Sequence, residues 1–373
     1  MDDIVKLIGK NEIKFERCDI NMESVQLLSE RQKGSTSPSE IIFADLVKSR
    51  IKPYEDPVKF PVALKVFVDL EKIDKSTLTQ KEKDIYNENI YDIIGIKYEA
   101  KMYKKIYKLI IDGICPNFIP YVGYAECTKD EILKSIPDDD KQDFGNNLIF
   151  GNKDIDLSVN ILITARPENN MAFKKFLIDR KISKYDKKCV ILQCLYTLYV
   201  LRNEKIRHND LHFNNILISI HEKPVKYLFI MGKDNQRQWF YVKTKYTPLF
   251  FDWDMSYNSE LGTNLKIDTG YCDRYNICSR DDMFFDTYTF LCHIKEFYCQ
   301  FIDANLCSFL SGSYTPVFER HNCRPFHFLN KREIKSIETI LDNEIFDEFR
   351  YKISDRPKNV FGYPENVLEY INS

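Results

Sequence analysis

No apolar run in this 373-residue chain approaches the roughly 20 residues that cross a bilayer, which excludes a membrane-spanning helix. The opening Met1-Asp2-Asp3-Ile4 lacks the basic-then-apolar layout of a signal peptide. No sign of charge dominates. The net charge is -2, so no global field favours nucleic acid or an anionic membrane. Eleven cysteines are present but none forms a Cys-x-x-Cys pair, so a zinc site or a disulfide framework has little support. Reduced, mostly buried thiols in a cytosolic compartment are expected instead. Cys272 and Cys278 are the one close pair within a loop, a spacing that chance accounts for. Glycine (12) and proline (14) are few, and there are no internal repeats and no low-complexity tracts.

What is present is the composition of a folded globular chain. Hydrophobic residues make up 44% and charged residues 29%, too apolar for a disordered protein and long enough for two modest domains. Residues 1–33 carry alternating charge and read as a short helical extension. From Gly34 to about Thr164 the segments are strand-like: Ile41-Ile-Phe-Ala-Asp45, Phe60 to Val68, Pro120-Tyr121-Val122 and Asn160 to Thr164. One long helix is expected over residues 80–112, with Tyr98, Met102, Ile106, Leu109 and Ile110 at three- and four-residue spacings. The acidic stretch 127–155 reads as an inserted surface loop. After a turn-prone hinge at 165–170 the pattern becomes mainly helical, over 187–204, 282–302 and 331–348, interrupted by strands over 216–251. Residues 221–246 read as an inserted β-hairpin.

Two stretches carry chemistry. Residues 207–217 read Arg-His-Asn-Asp-Leu-His-Phe-Asn-Asn-Ile-Leu, placing His208, Asp210 and Asn215 between a buried helix and an apolar strand. Residues 248–254 form a second apolar run that ends in Asp252-Trp253-Asp254. An aspartate able to orient a hydroxyl, with an amide and a second aspartate able to hold magnesium, is what phosphoryl transfer asks of a protein. Lys65, in Val62-Ala63-Leu64-Lys65-Val66-Phe67, is a cation inside an apolar strand. It is either a surface residue on an edge strand or a group with a buried partner.

Together these segments resemble the protein-kinase superfamily. The likeness implies an α+β, two-lobed kinase-like fold: an N-terminal extension at 1–33, an ATP-binding lobe at 34–166 that is rich in strands, and a helix-rich catalytic lobe at 167–373. It implies that Lys65, paired with Glu99 on the long helix, holds the α/β-phosphates of ATP, with Glu88 the competing carboxylate. Asn215 and Asp252 would bind Mg2+, Asp210 would orient the acceptor hydroxyl, His208 would fix the loop, and His212 would take the place of a catalytic-loop lysine. The phosphate-covering loop would run through Gly34, Thr36, Ser39 and Ile41, where only the first glycine of the family pattern remains. Asp286, in Asp286-Thr-Tyr-Thr-Phe290, resembles the aspartate that anchors the catalytic loop.

The chain also departs from that pattern. His208-Asn209-Asp210 lacks the arginine that pairs with a phosphorylated activation loop, so activity independent of such phosphorylation is expected. Asp252-Trp253-Asp254 lacks a glycine hinge, and no Ala-Pro-Glu motif precedes Asp286. These features are similar to the haspin-like protein kinases and to serine/threonine kinases of large cytoplasmic DNA viruses, whose AT-rich genomes fit the abundance of Lys, Asn, Ile and Tyr. The resemblance implies an enzyme of the cytoplasm or the virion that phosphorylates Ser or Thr of a protein substrate, without nucleic acid or membrane span. Two other readings stay open. Choline- and aminoglycoside-type kinases share the fold and often carry an acidic residue such as Asp254 after the metal aspartate. A nucleotide-binding pseudokinase would have lost one of Lys65, Asp210, Asn215 or Asp252, and all four are present.

Overall fold

A computed structural model describes residues 22–27, 40–48, 58–136, 157–232, 237–268, 284–316, 333–351 and 359–364, with scattered positions between them. Contacts divide the chain into two compact units, Met1–Lys104 with Ile119–Glu168, and Lys105–Phe118 with Asn169–Ser373. The content is mixed, helices beside mostly antiparallel sheets, which is compatible with the α+β class.

The first unit is built on a five-stranded antiparallel sheet. Its strands are β1 (Met22–Leu27), β2 (Glu40–Lys48), β3 (Val58–Val68), β4 (Tyr121–Thr128) and β5 (Ser158–Ala165), in the order β1-β2-β3-β5-β4. In β3 the alternation is plain: Val62, Leu64 and Val66 are buried on one face, while Pro61, Ala63 and Lys65 are half-buried on the other. The long helix α1 (Gln80–Ile111) follows, with Ile96, Glu99, Met102 and Ile106 forming its buried stripe.

Two expectations fail here. Part of the stretch expected to be a helical extension, Met22–Leu27, is a strand paired antiparallel with β2. Alternating charge fits either a solvated helix or an edge strand, and the sheet decides. The stretch expected to be a loop from residue 127 instead completes β4 and continues into α2 (Lys129–Ser135). Thr128 and Glu131 form a capping box, and Ile132 and Ile136 are buried, so two apolar anchors and a good cap outweigh the acidic surroundings.

After Lys105–Phe118, the second unit resumes with β6 (Asn170–Ala172), α3 (Phe173–Ile178) and the helix α4 (Lys184–Asn203), whose residues Val190, Ile191, Leu192, Leu195 and Leu198 are buried. The short strand β7 (Ile206–Arg207) follows, then β8 (Ile216–Met231) and β9 (Gln238–Phe250). The last two pair from Ile216↔Phe250 to Met231↔Gln238, with one irregularity between Ile220 and Val225. The expected inserted hairpin is therefore the outer part of one continuous hairpin. β10 (Tyr257–Asn258) pairs with β7. Helices α5 (Phe285–His293), α6 (Ala304–Ser311) and α7 (Ile337–Leu341) and strand β11 (Asn359–Phe361), parallel to β8, complete the unit. α5 runs into a π-helical turn at Ile294–Tyr298, so the helix expected over 282–302 changes its hydrogen-bond pitch part-way. The cysteines also depart from expectation: the structure joins Cys272 with Cys278 and places Cys292 beside Cys323 and Cys299 beside Cys307. Cys115, Cys189 and Cys194 are buried free thiols. No helix among the described residues is long and apolar enough to cross a membrane.

Candidate active site

The first unit contributes an ion pair. Lys65 stands on the half-buried face of β3, and its Nζ donates to Glu99 Oε2 of α1 at 3.0 Å. Glu99 is 1% exposed, and a carboxylate so far from water needs a cation beside it. The same Nζ lies 5.5 Å from the centre of the Phe67 ring. Sheet register sets Ile41 opposite Lys65, on the same face and exposed. Gly34, Thr36 and Ser39 lie outside the described residues, as does the side chain of Glu88.

The second unit assembles the other residues around a turn. Helix α4 ends at Asn203, Lys205 takes a left-handed φ of 52°, and β7 carries the chain to His208. At the start of α5, Asp286 reaches back to this point. Its Oδ2 accepts from the His208 backbone N–H at 2.6 Å and its Oδ1 from that of Asn209 at 3.0 Å. Both donors would otherwise be buried without an acceptor. Burial pushes the Asp286 carboxyl above its ordinary value, despite those two bonds and the nearby His208 and Arg207. Arg207 lies 3.9 Å from the centre of the Phe285 ring, and burial pulls its guanidinium down to about 10, which leaves it charged at neutral pH.

The turn then delivers its polar side chains. His208 Nε2 donates to the Phe251 carbonyl at 3.0 Å, and its ring packs 4.5 Å from Trp253. This bond ties the loop to the residue just before Asp252. Asn215 Nδ2 donates to the Asp210 carbonyl at 3.0 Å, and the Phe251 N–H donates to the Asn215 carbonyl at 3.2 Å. The amide of Asn215 is thereby oriented with Oδ1 as the atom able to hold a cation. His212 Nε2 is 3.5 Å from Asp210 Oδ2, and both side chains are partly exposed. Asp252 sits at a φ of 65°, a left-handed conformation that few residues other than glycine accept. Asp254, two residues on, is held by Lys266 Nζ.

Asn215 Oδ1 and the Asp252 carboxylate are hard oxygen donors, of the kind that magnesium takes while keeping several of its own waters. No group of three or more His, Cys, Asp or Glu able to hold a metal occurs among the described residues.

Beside Asp286 is a small cavity of about 90 Å3, walled by Leu198, Leu201, Ile206, Arg207, Asp282 and Thr287. Burial raises the Asp282 carboxyl, with Arg207 acting in the opposite direction.

Sequence reading did not assign a role to three amides that the structure uses. Asn209 Nδ2 donates to the carbonyls of Met255 and Cys278, Asn258 Nδ2 to those of Glu204 and Lys205, and Asn264 Nδ2 to those of Asp254 and Ser256. All three are nearly without solvent exposure. Their residue type carries a signal only in hindsight, because an asparagine in a polar stretch reads equally well as a solvated turn. No protein-family model and no curated protein matches the chain.

Proposed function

We propose that the chain is an ATP-dependent phosphotransferase with a two-lobed, kinase-like fold, acting on Ser or Thr hydroxyls of a protein. The observation that carries this reading is Asp286, a buried carboxylate that holds the backbone N–H groups of both His208 and Asn209. A turn fixed in that way presents Asp210 rigidly, and Asn215 and Phe251 link it to Asp252.

The roles follow from charge and reach. Lys65, braced by Glu99, carries the α/β-phosphates. Magnesium held by Asn215 and Asp252 would neutralise charge on the β- and γ-phosphates. Asp210 accepts a hydrogen bond from the substrate hydroxyl and aligns its oxygen with the γ-phosphorus. The bond from that oxygen to phosphorus forms as the bond to the β,γ-bridging oxygen breaks, the hydroxyl proton passes to Asp210, and ADP leaves. His212, beside Asp210, supplies a donor for the transferred phosphoryl group.

The test is transfer of labelled γ-phosphate with magnesium, offering generic proteins beside a panel of choline-like and aminoglycoside metabolites. Asp210→Asn should lower the rate by at least about 100-fold while leaving ATP affinity within about twofold, because its bond belongs to the transition state. Label on protein that disappears in the variant is the expected result. Label on a metabolite instead would move the chain to small-molecule kinases. Equal turnover in Asp210→Asn would end the assignment of that residue.

A further inference from the structure

The stretch from Asp254 to Ile267 follows the metal-binding aspartate, and it is tied down by groups that are always present. Lys266 holds the Asp254 carboxylate. Asn264 Nδ2 donates to the Asp254 carbonyl at 2.8 Å and to the Ser256 carbonyl at 2.9 Å. Tyr257 and Asn258 pair with Arg207 and Ile206. Met255, Ile267 and Ile277 form a small buried cluster against which Tyr257 packs.

One residue joins this stretch directly to the turn that bears Asp210. Asn209 is 1% exposed and sits at a φ of 67°, with its backbone N–H on Asp286 and its side-chain amide on Met255 O at 2.9 Å and Cys278 O at 3.4 Å. The conformation turns this side chain away from its neighbours and toward the two carbonyls. A single Nδ2 thus spans three segments: the turn, the chain after Asp252, and the chain before α5. Both acceptors are neutral main-chain oxygens.

We propose that Asn209 is a positioning residue that holds the Asp252–Ile267 stretch in register with Asp210 through its neutral amide, so that the site is assembled without covalent modification. This rests on the phosphotransferase reading for its effect on rate, though the tie itself does not.

Two substitutions separate the amide from the backbone. Asn209→Gly keeps the left-handed φ without strain and deletes the donor. Asn209→Asp keeps the shape and turns an acceptor toward two carbonyls. The full chain and both variants are assayed for γ-phosphate transfer, with and without prior phosphatase treatment, and amide hydrogen exchange is followed in each. Both variants are expected to lose kcat by at least about tenfold with the KM for ATP within about twofold, since alignment and not nucleotide binding is lost. Exchange should quicken over residues 254–267 while β8 and β9 keep their protection, and phosphatase should leave the unsubstituted chain unchanged. Unaltered kcat in Asn209→Gly overturns the proposal, as does faster exchange spread over the whole second unit, or loss of activity after phosphatase. If the unsubstituted chain transfers no phosphate at all, the kinase reading fails separately. Exchange then decides: faster over 254–267 in Asn209→Gly upholds the tie, and unchanged exchange there overturns it.

Discussion

At the scale of single residues, the site depends on carboxylates whose burial is as informative as their chemistry. Asp286 is buried and accepts two backbone N–H groups. Asp286→Asn keeps the size but faces one of those N–H groups with a donor, which should cost about 1–3 kcal/mol at neutral pH. The pH dependence has a definite sign. Burial raises the folded pKa above the ordinary 3.8, so the folded protein holds that proton longer than the unfolded chain. Stability from this group is therefore lost as pH rises from near 3.8 through the folded value. Asp286→Asn has no such slope. Urea unfolding at stepped pH should show the advantage of the unsubstituted chain narrowing upward through that window, and a widening advantage would contradict it. Motif spacing singled out His208, Asp210, Asn215, Asp252 and Lys65 in the sequence, and the structure ties His208 and Asn215 to Phe251, next to Asp252, and Lys65 to Glu99. Asn209 could be noticed only as a departure, since a positive φ and a bond to a carbonyl 46 residues away leave no local pattern.

At the scale of elements, the strongly periodic segments were the readable ones. α1 and β3 show their buried stripes in the sequence, and the structure gives them nearly the expected bounds, Gln80–Ile111 and Val58–Val68. Reading went wrong where composition stood in for periodicity. Met22–Leu27 became a strand through pairing with a neighbour that the segment itself does not reveal. α2 was hidden in an acidic stretch although Thr128 and Glu131 spelled its cap. The two-residue strands β7 and β10 are too short to carry any pattern, and Asn258 supplies what they lack by bonding to Glu204 O and Lys205 O, each at 3.0 Å. Asn258→Ala should leave both carbonyls short of a donor and destabilise the second unit by about 1–3 kcal/mol. A shift in the denaturation midpoint with unchanged m would show it, and no shift would mean that water replaces the amide.

At the scale of the whole molecule, both tryptophans, Trp239 and Trp253, belong to the second unit, so indole emission reports on that unit while backbone circular dichroism reports on both. Separate transitions by the two probes would mark the units as separately cooperative. The proposed function adds an expectation. ATP with magnesium at about 100 times its Kd should raise stability by about 2.7 kcal/mol. Lys65→Met should shrink that gain while the midpoint without nucleotide also falls, because Glu99 loses the cation 3.0 Å away. A gain of equal size in Lys65→Met would remove this residue from nucleotide binding.

The side-chain bonds that anchor His208 and Asn209 have one property in common: each joins residues 43 to 78 positions apart. None is local, so loop-closure entropy must be overcome before any of them forms. During synthesis the chain carries Asp210 and Asp252 out of the ribosome well before Asp286 follows. A nascent chain therefore carries His208, Asp210 and Asp252 before the carboxylate that fixes the backbone of their turn has been made.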